Sequence, residues 1–248
     1  MSFAGKVVLV TNSSSIGTSI AVAFAKEGAF VALVGENETK LSNVLKQCEK
    51  YGSKCLQLKS DITRREDAVN LVQRTVDVFG RLDVLVNNAA ICKSGGIFDA
   101  NFMEAYDETI DMNLRAVVHI TNLAAPYLVR SRGSIVNISS VAPVSAKHSS
   151  IALSYFVSKA ALEHFTRAVA TELAEYGVRA NIISTGPVRT DFCEYNITAP
   201  IDPFEATAHN RLCEADEIAE LALYLSSDKA KCITGSNYVC DNGFLLKN

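Results

Sequence analysis

Nowhere in this chain do basic residues gather into a cluster, and 24 lysines and arginines against 27 acidic residues leave a formal net charge of -3. A balance of this kind excludes the electrostatic footprint of a nucleic-acid-binding protein or of one held on an anionic membrane. Long hydrophobic runs are missing too. Val7 to Ala25 carries no charge, but its apolar run stops at Thr11 and leaves only "VVLV". That is too short for a membrane span or a signal-peptide core, so a soluble, cytoplasmic protein is expected. The seven cysteines (Cys48, Cys55, Cys92, Cys193, Cys213, Cys232 and Cys240) are odd in number, with no CxxC pair and no His/Cys cluster at metal-ligand spacing. Reduced, mostly buried thiols and no metal site are the expectation.

What the sequence does hold is 48% apolar residues, enough for a sizeable core. Short β-branched runs (KVVLVT, FVALVG, KCLQLKS, LDVLVNN, GSIVNIS, VRANIIS and NYVCD) alternate with segments of helical period near 16–27, 38–50, 65–79, 104–130, 155–176 and 214–226. Strands apolar on both faces, alternating with helices, predict a doubly wound parallel sheet, a Rossmann-like α/β fold of about seven strands. No linker interrupts the pattern, so one domain over 1–248 is expected. Thr190 to Arg211 has two prolines and little periodicity, and residues 190–212 are expected to form a substrate lid. Phe192, Tyr195, Ile197, Ile201 and Phe204 give it the content of an apolar pocket.

In an open α/β sheet, ligands bind beyond the carboxyl ends of the strands. The polar residues there are Thr11 to Ser15, Gly35 and Glu36, Asp61, Asn87 and Asn88, Ser139 and Ser140, and Ser184 to Val188. After the fifth strand, "YFVSK" sets Tyr155 and Lys159 four residues apart at the start of a helix, on one face. An ammonium favours the ionised form of a nearby phenol. Lowering a tyrosine pKa by about 3 units takes roughly 4 kcal/mol of differential interaction, within reach of a lysine plus a cationic ring in a partly dry site. Such a tyrosine exchanges a proton near neutral pH. Taken alone, the same spacing equally suits a solvated tyrosine and lysine.

The remaining motifs remove that ambiguity. "NNAA" at 87–90 is similar to an NNAG motif, "DMNLRAV" carries Asn113 in a helix, and "GSIVNISS" precedes "YFVSK". "TGPVRT" at 185–190 resembles PGxVxT, "ITGSNYVCDNG" resembles a closing strand, and Asp61-Ile62 matches an acidic dipeptide after the third strand. In this order the motifs resemble the short-chain dehydrogenase/reductase family over nearly the whole chain. The resemblance implies that Tyr155 is the acid/base toward a carbonyl or alcohol oxygen and that Ser140, second of its pair, hydrogen-bonds the same oxygen. It implies that Lys159 holds the nicotinamide ribose and acts on Tyr155, while Asn113 carries a water linking Lys159 to solvent. It places cofactor contacts at Thr11, Asn12, Ser14, Ser15, Ile16, Gly17, Glu36, Asp61, Ile62, Asn88, Ala89, Tyr155, Lys159, Gly186, Val188 and Thr190. It also implies a homotetramer or homodimer built through helices 104–130 and 155–176. Each assignment has a plainer alternative: a strand-end hydroxyl for Ser140, a backbone-bonded amide for Asn113, an N-cap for Asp61, and a strand-to-loop turn for Asn88 and Ala89.

The first turn departs from the family. TGxxxGxG would follow Thr11 with glycine, yet this chain has Asn12 there, Ser15 or Ile16 at the middle glycine, and Gly17 one residue early. Two glycines and one residue are gone. One residue spans roughly 3.3 to 3.6 Å of chain, and a non-glycine at positive φ costs about 1 to 2 kcal/mol. Asparagine tolerates positive φ better than most, and the N–H groups near Gly17 still favour an anion, so weakened dinucleotide binding is expected. Glu36 follows the second strand where many NADP-dependent relatives carry arginine. Facing the ribose, it would repel a 2′-phosphate about 5 Å away by roughly 1.5 to 3 kcal/mol and favour NAD(H) over NADP(H); otherwise it is a solvated turn residue. Ser140 and Tyr155 are fifteen residues apart, two more than usual, through a lengthened loop in which Lys147 and His148 read as exposed. Thr185 replaces a proline and loosens the backbone beside the nicotinamide.

Two functional expectations result. The first is an NAD(P)-dependent oxidoreductase interconverting an alcohol and a carbonyl on a small or medium apolar molecule, such as a steroid or isoprenoid alcohol. The second is a protein of the same fold whose dinucleotide site is lost and which binds a small molecule or partner without chemistry.

Overall fold

The seven β-branched runs pair as one sheet. In the computed structural model, which describes residues 2–145, 152–190 and 203–247 with the side chains of 203 and 204 excepted, the strands are β1 (Val7–Thr11), β2 (Phe30–Gly35), β3 (Cys55–Lys59), β4 (Val84–Asn87), β5 (Ser134–Ser140), β6 (Arg179–Thr185) and β7 (Asn237–Cys240). All pairings are parallel, in the order β3-β2-β1-β4-β5-β6-β7. β1, β4 and most of β2, β5 and β6 are buried, which explains their uninterrupted apolar character.

The helices are α1 (Ser15–Lys26), α2 (Glu38–Glu49), α3 (Arg65–Phe79), α4 (Phe102–Ile110), α5 (Ala116–Ser131), α6 (Leu153–Leu173) and α7 (Ala215–Ser226). They cover both faces. Phe24 of α1, Leu41 of α2 and Ile218 of α7 pack on Leu33, Val136 and Ile183 of the sheet, while Leu71 of α3, Ile120 of α5 and Ala170 of α6 pack on Leu9, Leu85 and Ile135. This is the doubly wound Rossmann-like arrangement. The chain leaves β1 toward β2 on one side and returns at β4 on the other, so a crevice opens at the carboxyl ends of β1 and β4.

The stretch 104–130 corrects the reading of one helix. α4 gives way to a π-helical turn at Asp111–Arg115, after which α5 runs on through Pro126. A π turn shifts the helical register by one residue and hardly disturbs an apolar pattern, so periodicity passes over it. Short helical turns at Pro203–Ala206 and Phe244–Lys247 carry too few residues to show a period at all. Lys147, His148, Phe192, Tyr195, Ile197 and Ile201, and the side chain of Phe204, lie outside the described residues. Among the described residues no helix is long and apolar enough to cross a membrane.

Candidate active site

The turn after β1 is built by its backbone. Asn12 takes φ 71°, the left-handed conformation otherwise left to glycine. Gly17 then allows the first turn of α1 to close on it, because a Cβ at Gly17 would stand 2.0 Å from Asn12 O and 2.7 Å from Asn88 Nδ2. The Asn88 amide completes the knot, within hydrogen-bond distance of Thr11 O (3.1 Å), Asn12 O (3.3 Å) and Ser14 Oγ (3.2 Å). Asn12 thus takes over the left-handed position and Gly17 the close approach. Ser14 is the N-cap of α1 and the first helical bond runs from Thr18 N–H to Ser14 O, so the N–H groups of Ser15, Ile16 and Gly17 lie ahead of the ladder, at the positive end of the helix.

Beside this turn lies a cleft of about 380 Å³, lined by Asn12, Ser13, Ser14, Glu36, Asn37, Lys40, Ser60, Ile62, Ala89, Ala90, Ile91 and Met112, with Val34 and Gly35 at its floor. It joins the ends of β1, β2, β3 and β4. Of the predicted cofactor residues it gathers Asn12, Ser14, Glu36, Ile62 and Ala89. Others are placed differently. Thr11 is 1% exposed, and its hydroxyl accepts from the N–H groups of Asn88 (3.0 Å) and Ala89 (3.2 Å), so it fastens β1 to β4 and does not line the cleft. Asp61 Oδ1 accepts from the Thr63 N–H and hydroxyl, closing a turn before α3 while its neighbours Ser60 and Ile62 face the cleft. Ser15, Ile16, Gly17 and Asn88 support the turn from behind. Sequence reasoning missed Lys40 and Met112, and named Ser13 only within the polar run Thr11 to Ser15 after β1. Lys40 was detectable, being three residues beyond Asn37, whose side chain caps α2 by accepting from the Lys40 N–H.

At the β5 end the side chains carry the order. Lys159 is 2% exposed; its ammonium donates to Ile138 O at 2.9 Å and stands 5.6 Å from the Tyr155 ring centroid. Burial pushes its pKa down to about 8, with the Cys92 thiol opposing that shift. Burial likewise raises Cys92 to about 11, with the lysine pulling the other way. Asn113, at the centre of the π turn and fully buried, accepts the Ile91 N–H (2.8 Å), and its amide donates to Ile91 O (2.8 Å) and Ser158 Oγ (3.1 Å). It clamps the end of β4 to α6 one residue before Lys159. Asn87 donates to Asn137, and Asn137 to Thr166 of α6, locking β4, β5 and α6 together. Ser140 Oγ accepts the Ala142 N–H at 3.1 Å, while the Ser139 hydroxyl is buried with no partner among the described residues.

The third predicted group flanks β6. A Cβ at Gly186 would meet Asp241 Cβ at 2.6 Å, Val188 is buried and bridged to Cys213, and the Thr190 hydroxyl donates to Val188 O at 3.4 Å. None of the three lines the cleft at β1 and β4. Among the described residues no three His, Cys, Asp or Glu side chains are grouped to hold a metal ion.

The arrangement suits a dinucleotide: a cleft of about 380 Å³ at the ends of β1 to β4, a helix N-terminus with no room for another Cβ at Gly17, and a buried ammonium bonded to β5. Known proteins agree. A family model described as Enoyl-(Acyl carrier protein) reductase matches residues 10–245. The chain is 34% identical over 250 residues to the A-factor type gamma-butyrolactone 1'-reductase (1S-forming) of Streptomyces virginiae, covering 97% of this chain and 96% of that protein. A solved short chain dehydrogenase from Burkholderia cenocepacia J2315 in complex with NADP superposes with a TM-score of 0.92 at 29% identity, over 99% of this chain and all of that one. A 7 alpha-hydroxysteroid dehydrogenase complexed with NADH and 7-oxo glycochenodeoxycholic acid superposes with a TM-score of 0.91 at 28% identity, over 98% of this chain and 95% of that one.

Proposed function

Because the chain belongs to the short-chain dehydrogenase/reductase family and is an NAD(P)-dependent oxidoreductase, we propose that it interconverts an alcohol and a carbonyl with Tyr155 as acid/base. The observation that carries this reading is the buried Lys159 ammonium held beside the Tyr155 ring by Ile138 O, on the strand that ends at Ser140. The cofactor, when bound, supplies or receives the hydride. Tyr155 gives a proton to the substrate oxygen or takes one from it. Ser140 positions that oxygen by donating its hydroxyl proton to it, while its Oγ still accepts the Ala142 N–H. Lys159 favours the phenolate, and Asn113 keeps Lys159 and Ile91 in register through Ser158.

Asn12, Ser13, Ser14 and the N-terminus of α1 would hold the pyrophosphate, and Ile62 and Ala89 the adenosine. NAD(H) is the preferred form: Glu36 lines the cleft, where a carboxylate repels a 2′-phosphate, although Lys40 of the same lining acts in the opposite sense. The substrate is small or medium and apolar. Ile97 and Phe98 stand exposed beside Gly95, which is bridged to Ala152 at the start of α6, and Val144 stands exposed after Ser140. The chain assembles with copies of itself through α4, α5 and α6, where Met103, Val118 and Val157 are exposed.

The test is absorbance at 340 nm with a panel of apolar ketones and alcohols and either dinucleotide. Turnover with NAD(H) that Tyr155→Phe abolishes is expected; equal rates in the two proteins overturn the role of Tyr155. A protein that binds no dinucleotide, judged by an unchanged melting midpoint, would revive the reading of a fold without chemistry.

A further inference from the structure

Two cysteines that no motif connects meet on either side of the Gly186–Arg189 segment. Cys240 ends β7 opposite Thr185, and its carbonyl accepts the Gly186 N–H at 3.0 Å. Cys213, just before α7, is bridged to Val188: its N–H donates to Pro187 O (3.0 Å) and its carbonyl accepts from Arg189 N–H (2.9 Å). The Cys213 thiol reaches Cys240 O at 3.6 Å, so its sulfur lies against the Cys240 backbone. The segment is therefore held from one side by each cysteine, and the two side chains are neighbours. We propose that Cys213 and Cys240 form a reversible intrachain disulfide whose closure reshapes the Gly186–Arg189 segment and weakens dinucleotide binding. The effect on binding rests on the reading of that segment as a cofactor contact; the disulfide itself does not.

The oxidant is a peroxide. Cys213 is 1% exposed and Cys240 only half-buried, so Cys240 is the sulfur that meets it. The neighbouring Cys213 thiol holds the Cys240 pKa below the ordinary thiol value while that of Cys213 is raised, so Cys240 is the more readily ionised of the two. The Cys240 thiolate attacks one peroxide oxygen and breaks the O–O bond, giving a sulfenic acid and hydroxide, which leaves as water once it takes a proton. Cys213 then attacks the Cys240 sulfur, its proton leaving with the displaced hydroxide as a second water. Two thiols and one hydrogen peroxide give one disulfide and two waters, and a dithiol reverses it. A second neighbouring pair, Cys48 of α2 and Cys55 of β3, serves as an internal control because it lies in elements apart from the Gly186–Arg189 segment.

The experiment treats the whole protein with hydrogen peroxide, maps linked peptides by mass without reduction, and titrates NAD(H) before and after. A Cys213–Cys240 peptide is expected, with a rise in Kd of about fivefold or more that dithiothreitol reverses. Cys240→Ser and Cys213→Ser should each abolish both effects, and Cys48→Ser neither. Absence of the linked peptide in oxidised wild type overturns the disulfide. A linked peptide with unchanged Kd overturns its effect on the segment. If even the reduced protein binds no dinucleotide, the cofactor reading fails while the peptide map still decides the disulfide.

Discussion

The turn after β1 and the β5–α6 region both lie at the carboxyl ends of the sheet strands but are ordered by different means. At the β5–α6 end, side chains do the fixing: Lys159 on Ile138 O, Asn113 on Ile91 and Ser158, Asn137 on Thr166. In the turn, backbone shape does it, with Asn12 left-handed and Gly17 leaving no space for a Cβ. Replacing an atom in the first region removes a reacting or positioning group at constant chain path. Replacing one in the second bends the path itself. The two should therefore separate experimentally into chemistry and binding.

The sharpest break is Tyr155→Phe, which deletes one hydroxyl. A general acid/base contributes about 10² to 10⁴ in rate, and kcat/KM should fall by that factor while the NAD(H) Kd stays within about twofold. Stopped-flow rates alongside a fluorescence titration measure both. A matching loss in affinity would dissolve the distinction between the regions.

Lys159→Met comes next, and its sign follows from linkage. The lysine pKa is near 8 in the folded chain against 10.5 unperturbed, so between those values the unfolded chain binds more protons and wild-type stability rises with pH. The burial penalty, about 3 kcal/mol, is fully present at pH 7 and gone above about pH 10.5. The methionine variant lacks that penalty but strands Ile138 O at a cost of about 1 to 3 kcal/mol. Turnover should vanish. Urea midpoints should show wild type gaining about 3 kcal/mol on the variant from pH 7 to 10.5. A gap that does not change with pH would mean that Lys159 is not buried as an ammonium.

For the turn, Gly17→Ala forces a methyl against Asn12 O and Asn88 Nδ2. Overpacking of this kind costs about 1 to 3 kcal/mol, and the displaced turn should lose dinucleotide affinity as well. Urea unfolding and a binding titration read the two losses, and an unchanged midpoint would show that the turn yields easily.

Legibility in the sequence divided along the same line. The strands were plain, because a strand buried on both faces must be apolar throughout, and β2 fell on its predicted residues 30–35. Helical spacing puts Tyr155 and Lys159 on one face, and it was the order of the surrounding motifs, not that spacing, that set them apart from a solvated pair. The π turn was hidden, since one extra residue leaves the apolar pattern nearly intact. Thr11 read as a ligand contact because only the folded chain brings Asn88 and Ala89 to its hydroxyl, whereas for Asp61 the local alternative, a carboxylate closing the turn onto Thr63, was already open in the sequence. The meeting of Cys213 and Cys240 was equally invisible, the two lying twenty-seven positions apart with no motif between them.

The smallest effects belong to Asn12, and they divide shape from charge. With φ at 71°, Asn12→Gly relaxes the position and should change stability by less than about 0.5 kcal/mol, whereas Asn12→Ala places a Cβ with no local hydrogen bonding in the left-handed region and should cost about 1 kcal/mol. Asn12→Asp keeps the left-handed tolerance but sets a carboxylate in the cleft, beside Ser13 and Ser14. If the turn seats a pyrophosphate, that carboxylate adds about 1 kcal/mol of repulsion at roughly 5 Å in water, a rise of about fivefold in Kd at low salt that shrinks as the Debye length falls. Normal stability with salt-sensitive weakening is the expected pair of results. An aspartate variant that binds NAD(H) as tightly as wild type at low ionic strength would move the pyrophosphate away from the turn, even with its backbone intact.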